Sequence, residues 1–255
     1  MTDLRGKTAL VTGASRGIGK AVALALGRCG ANVVCAATSR ENAEPTAREI
    51  EALGVGVLPL GVRVEEAASV AAMFDQAEQA LGTVDILVNN AGIARPVPVL
   101  EMTEADWDLP ININARSIFL CSQQAARRLK VVGRGGSIIN IGSITGENAF
   151  PRRLAYCASK AAVNHMTRVM AVEWAELGIR VNCVAPGYIA TDIIENLSRE
   201  GKLDRPKLEG RVPQRRLGKV EEIASAVVFL AGEESSYMTG SIVTVDGGWD
   251  AYGFV

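Results

Sequence analysis

The chain has 255 residues, 48% of them hydrophobic, and its 27 basic and 28 acidic side chains leave a net charge of −1. That balance gives no footprint for a polyanion partner such as nucleic acid, and no window approaches the ~20 apolar residues of a membrane span. The opening MTDLRGKTALVTG lacks an apolar stretch behind a basic head, so no secretory signal is expected.

Seven short β-branched runs alternate with longer helical patterns. In chain order the predicted strands are TALVT (8–12), NVVCAA (32–37), VGVLPL (55–60), DILVN (85–89), SIINIG (137–142), IRVNCVA (179–185) and SIVTV (241–245). Several are apolar at successive positions, as parallel strands buried on both faces require. Helical spacing fills GIGKAVALALGRCG, ENAEPTAREIEALG and EEAASVAAMFDQAEQALG. The last two finish in Leu-Gly, a helix stop, and Pro45 is expected near the start of its helix, where a missing N–H does little harm. This repetition predicts an α/β fold, one doubly wound seven-stranded parallel sheet with helices on both faces. No linker or charge block divides residues 1–255, so they read as one domain, with a polar, proline-punctuated lid at 187–216.

Five cysteines, Cys29, Cys35, Cys121, Cys157 and Cys183, are odd in number, scattered and mostly in apolar runs. They read as reduced core thiols of a cytoplasmic protein rather than a disulfide framework. Cys157 beside Tyr156 lacks an evident partner base. With a single histidine, His165, and no CxxC pair, no transition-metal site is expected.

TGASRGIG (12–19) follows the first strand and opens the first helix. Gly13, Gly17 and Gly19 permit a tight turn and close backbone approach, and the helix N-terminus offers free N–H groups to a pyrophosphate. In this strand-turn-helix context the motif points to dinucleotide binding. Sites preferring NAD place a carboxylate about 20 residues further on. That region reads CAATSR (35–40), without an acid. Arg16 and Arg40 suit a 2′-phosphate, with hydroxyls from Ser15 and Thr38, so the cofactor reading is NADP(H), with NAD(H) as the alternative.

AYCASK (155–160) puts a phenol and an ammonium four residues apart on one helix face. A cation there favours the phenolate and is expected to lower the tyrosine pKa. The glycine turn, NNAG (89–92), Ser143 and Tyr156-x-x-x-Lys160 together resemble the short-chain dehydrogenase/reductase family, from Gly6 to VDGGW (245–249). The chain looks most like 3-oxoacyl-carrier-protein reductases and related ketone, polyol and sugar dehydrogenases. The resemblance implies Tyr156 as general acid/base, Ser143 orienting the substrate oxygen, Lys160 tuning the tyrosine and Asn114 in a proton relay. It implies cofactor contacts at Ser15, Arg16, Ile18, Thr38, Val62, Asn90, Ala91 and Gly92, and at Pro186, Gly187, Ile189 and Thr191. Gly61 stands where the family usually has Asp or Asn beside adenine. Carrier-docking reductases use two arginines; Arg134 matches one, but Leu177 occupies the other position, which favours a freely diffusing substrate.

Arg95, Arg152 and Arg153 lie near these motifs, and any that reaches the pocket would suit an anionic substrate; each is equally read as a surface charge. Relatives are usually homotetramers, and SIFLCSQQAARRL and NHMTRVMAVEWAEL are candidate intersubunit helices, with the C-terminal VDGGWDAYGFV crossing an interface. The alternatives are an NAD-dependent sugar or polyol dehydrogenase and, from another class, a non-catalytic NADP-sensing protein. Such sensors commonly lack the tyrosine or lysine that this chain keeps.

Overall fold

Alternation along each buried strand builds two cores at once. In β1 (Thr8–Thr12) Ala9 and Val11 point to one face of the sheet and Leu10 to the other. The same division runs through β2 (Asn32–Ala37), where Val33 and Cys35 oppose Val34 and Ala36. The computed structural model describes residues 2–191, 194, 196, 199 and 203–253. β3 (Val57–Gly61), β4 (Ile86–Asn89), β5 (Gly136–Ile141), β6 (Ile179–Pro186) and β7 (Ile242–Val245) complete a seven-stranded sheet in the order β3-β2-β1-β4-β5-β6-β7. Every recorded pairing is parallel, with Leu10 beside both Val34 and Leu87.

One face carries α1 (Gly17–Arg28) and α2 (Arg40–Glu51), and it also carries α8 (Val220–Ala231), whose Ile223, Val227 and Leu230 meet α1 residues Val22 and Leu26. The other carries α3 (Ala67–Leu81), α5 (Ser117–Val132) and α6 (Leu154–Trp174), packing Phe74, Ile118, Leu129 and Val163 onto the sheet. α4 (Glu104–Ile111) opens with a Thr103–Asp106 capping box and α7 (Arg205–Arg211) with Asp204 capping the Lys207 N–H. Among the described residues no helix is long and apolar enough to cross a membrane.

Two local expectations shift. Pro45 lies well inside α2, where it denies the Glu41 carbonyl a helical donor; both residues are exposed, so that carbonyl is not left in a dry interior. The expected lid is only partly within the described residues, because 192, 193, 195, 197, 198 and 200–202 lie outside them. Its two ends are tied: Gly218 N–H donates to the Tyr188 carbonyl at 2.9 Å and Ala190 N–H to that of Gly218 at 2.8 Å.

The chain leaves β1 for β2 and β3 on one side, then returns to β4 on the other. The crevice where the order reverses opens at the carboxyl ends of β1 and β4, where ligands of such sheets bind.

Candidate active site

The glycine turn is built for close approach. Gly13 and Gly17 take left-handed backbone, φ +66° and +56°. A Cβ at Gly19 would drive into the Gly13 carbonyl oxygen and the Asn90 amide, so only glycine fits there. Arg16, at the N-cap of α1, gives the helix no side-chain cap, and its first turn carries no acid. The N–H groups around Gly17, Ile18 and Gly19 therefore keep their donors and partial positive charge for an anion. These features fit the pyrophosphate of a dinucleotide.

Across the crevice, Asn90 spends its amide on that turn, donating to the Thr12 and Gly13 carbonyls at 2.9 and 3.1 Å. Thr12 Oγ1 accepts from the Asn90 and Ala91 N–H groups at 3.0 and 3.1 Å. Asn90 thus braces the cradle. Beneath it, Asn89 donates to Ser122 and Asn140, and Asn140 to Thr167, each at 2.9 Å. This satisfied buried network stitches β4 and β5 to α5 and α6.

At the end of β2, Thr38 and Arg40 are exposed and Ser15 half-buried. Thr38 Oγ1 accepts from Asn42 at 2.9 Å, and Arg40 lies 3.6 Å from Glu44 in an exposed pair worth little. The Arg16 side chain is exposed and has no hydrogen-bond or ion-pair partner among the described residues. Val62 is buried, its N–H donating to the Ala37 carbonyl at 2.8 Å. A Cβ at Gly61 would crowd the backbone of Ser39 and Arg40 at 3.1 Å, which favours glycine there.

Asn114 lies in a π-helical segment, Asn112–Arg116, between α4 and α5; the widened turn carries its side chain to zero exposure. Its Oδ1 accepts from the Ile93 N–H at 2.8 Å, and its Nδ2 donates to the Ile93 carbonyl at 2.9 Å and Ser159 Oγ at 3.0 Å. Ser159 in turn donates to the Tyr156 carbonyl at 2.7 Å. With both amide hydrogens engaged, a relay water finds only the spare lone pair of Oδ1. Gly92 keeps that ground open, since a Cβ there would stand 3.3 Å from Asn114 Oδ1 and 3.8 Å from Lys160 Nζ.

Ser143 follows β5 and is buried; its Oγ accepts from the Thr145 N–H at 3.1 Å, which leaves its proton to donate. The Tyr156 phenol is its hydrogen-bonding neighbour. Burial holds that phenol above its usual value, and the Ser143 bond and the Arg153 charge only partly offset it. The expected lowering by Lys160 is not what the structure gives. Lys160 Nζ lies 5.8 Å from the Tyr156 ring centroid and donates instead to the Ile141 carbonyl at 2.7 Å. Itself only 4% exposed, Lys160 is depressed by burial to about 8. A buried ammonium with one protein acceptor and donors to spare fits the ribose hydroxyls of a dinucleotide.

Pro186 ends β6, and Gly187, Ile189 and Thr191 run from it towards the glycine turn; Thr191 Cγ2 comes within 3.7 Å of a Cβ built on Gly17. Sequence reasoning missed the aromatic wall beside them. Phe150, Tyr188 and Trp249 have ring centroids 5.1 to 6.3 Å apart. Arg211 of α7 stacks over Trp249 at 4.6 Å and donates to the Tyr252 carbonyl at 2.8 Å. Trp249 thus packs against Phe150, Tyr188 and Arg211 of its own chain. Ser159 also went unmarked, since a serine inside a helical motif carries no signal of its own.

Arg134 lies elsewhere. It meets Asp85 at 2.6 Å, beside a cleft of about 800 Å³ at the amino ends of β4, β5 and β6. That cleft contains none of the catalytic candidates. All five cysteines are free.

Residues 13–250 match the family model described as enoyl-(acyl carrier protein) reductase. A 3-oxoacyl-[acyl-carrier-protein] reductase of Thermotoga maritima is 40% identical over 96% of this chain and 98% of its own. The crystal structure of a short-chain type dehydrogenase/reductase from Mycobacterium marinum is 42% identical, with a TM-score of 0.92 over 97% of this chain and 96% of that one. A gluconate 5-dehydrogenase from Burkholderia cenocepacia, solved with NADP and tartrate, is 36% identical with a TM-score of 0.92 over 98% and 97% of the two chains. The chain belongs to the short-chain dehydrogenase/reductase family, oxidoreductases that act on a secondary alcohol or ketone with NAD(P).

Proposed function

We propose that the chain is an NADP(H)-dependent carbonyl reductase and secondary-alcohol dehydrogenase in which Tyr156 is the general acid/base. The observation that carries this reading is the convergence of Ser143, Tyr156, Lys160 and Asn114 beside the glycine turn, at the carboxyl ends of the central strands. A reduced nicotinamide held there would supply the hydride that the carbonyl carbon needs. Ser143 donates a hydrogen bond to the carbonyl oxygen and fixes it against Tyr156. Tyr156, a phenol already neutral at pH 7 and held further from ionisation by burial, gives its proton to that oxygen as negative charge develops. Lys160 orients the ribose, and Asn114 anchors Ile93 and, through Ser159, the helical turn bearing Tyr156.

The NADP preference rests on the unpartnered Arg16, the absence of a carboxylate in 37–40, and the NADP bound by the Burkholderia relative. Leu177 and the Asp85 pairing of Arg134 favour a freely diffusing substrate over a carrier-bound one. A homotetramer would cover the exposed apolar side chains Phe119, Val131, Val169 and Val172 of α5 and α6, and light scattering on the purified chain measures its mass.

The test is loss of absorbance at 340 nm with NADPH or NADH against ketones, 3-oxoesters, diketones and keto-sugars. Turnover preferring NADPH is expected. Turnover with NADH alone would overturn the cofactor preference, and binding of NADPH without any turnover would favour the sensor alternative.

A further inference from the structure

The three arginines near the catalytic loops differ in kind. Arg95 is neutralised by Asp106 at 2.9 Å. Arg152 is exposed and serves through its backbone, with φ 63° and its carbonyl accepting from the Val97 N–H at 2.9 Å. Arg153 is half-buried, and no carboxylate pairs with it among the described residues.

Arg153 is the N-cap of α6, three residues before Tyr156, at the end of the helix that carries the phenol. Its N–H donates to the Phe150 carbonyl at 3.2 Å, which ties it to the aromatic wall. Phe150 stacks on Trp249 at 6.2 Å, and Trp249 lies 5.1 Å from Tyr188. The Arg153 charge favours the ionised form of both the Tyr156 and Tyr188 phenols, in keeping with its place between α6 and the aromatic wall. A partly desolvated cation without a counter-charge costs stability unless a ligand supplies one.

We propose that Arg153 is the anion-binding residue of the substrate pocket, and that the substrate carries a carboxylate near the carbonyl that is reduced. The planar fork of the guanidinium matches a carboxylate through two parallel N–H···O bonds. Arg153 then sets which end of the substrate faces away from Tyr156, and the aromatic wall shields the ion pair from water. This inference rests on the reading of Tyr156 as proton donor.

The test compares kcat/KM with NADPH for 2-oxobutanoate and 3-oxobutanoate against their methyl esters, together with calorimetric binding of malonate to the NADP⁺-loaded protein. The wild type is expected to prefer the acid in at least one pair and to bind malonate. Arg153→Gln is expected to lower the acid-to-ester ratio by roughly 30- to 100-fold, mainly through KM, and to abolish malonate binding. Arg153→Lys, which keeps charge but loses the fork, is expected to fall between, and Arg152→Gln to leave the ratio unchanged. Ratios at or below one in both pairs, a ratio unmoved by Arg153→Gln, or no malonate binding would overturn the inference. Malonate binding needs no chemistry, so it decides the role of Arg153 even where none of the four substrates turns over. Turnover that survives Tyr156→Phe refutes the proton-donor reading instead.

Discussion

Replacing Lys160 with Met should change how stability depends on pH. In the cofactor-free protein the Lys160 ammonium is buried against one carbonyl, and its pKa falls from 10.5 to about 8. A folded pKa below the unfolded one means that folding opposes protonation: the penalty is fully present below about 8 and disappears as pH rises to 10.5. The interval corresponds to about 3 kcal/mol at about 1.4 kcal/mol per unit. Methionine fills a similar volume without the charge, although the Ile141 carbonyl loses its donor at a cost of about 1 kcal/mol. Urea unfolding of both proteins from pH 7 to 10.5 separates these effects, because titrations common to both cancel in the difference. Relative to Lys160→Met, the wild type is expected to gain about 3 kcal/mol across that range. Parallel stability curves would refute the claim that Lys160 is held buried and charged in wait for a ligand.

Gly19→Ala should press a methyl group into the Gly13 carbonyl and the Asn90 amide, costing about 1 to 3 kcal/mol by the usual range for overpacking. Calorimetric titration with NADP⁺ should show at least a tenfold loss of affinity, and unchanged binding would contradict the cradle. Thr38→Asp should put a carboxylate beside a 2′-phosphate and reverse the NADPH-to-NADH preference in kcat/KM by roughly 100-fold. Because burial raises the Tyr156 pKa, ketone reduction should persist through neutral pH, whereas alcohol oxidation, which needs the phenolate, should rise steadily between pH 7 and 9. Oxidation that is flat with pH would place the proton acceptor elsewhere.

The fold was legible because the strand runs are rich in apolar residues and the helices that cover the sheet bury an apolar face, so periodicity and pairing agree. Glycine boundaries also read correctly: Gly82 follows α3 at φ +81°. The site was legible only where chemistry is compressed into neighbouring residues, as in the glycine turn and the Tyr156–Lys160 spacing. Lys160 shows the limit of that reading. Four-residue spacing puts the ammonium on the side of the phenol, but the long side chain turns to the Ile141 carbonyl, and burial raises the Tyr156 pKa against the smaller effects of Ser143 and Arg153. The aromatic wall was invisible because Phe150, Tyr188 and Trp249 come from three distant loops, and no local pattern links them. Arg153 likewise became distinct from Arg95 and Arg152 only through its surroundings.

The most direct measurement of the central claim is a single-turnover experiment with NADPH deuterated at the nicotinamide C4, run on wild type and Tyr156→Phe with the best ketone of the panel. The expected result is deuterium on the carbinol carbon of the wild-type product, and a hydride-transfer rate at least 1,000-fold lower in Tyr156→Phe, which still binds NADPH. A variant that transfers deuteride at the wild-type rate would show that the proton donor is not Tyr156.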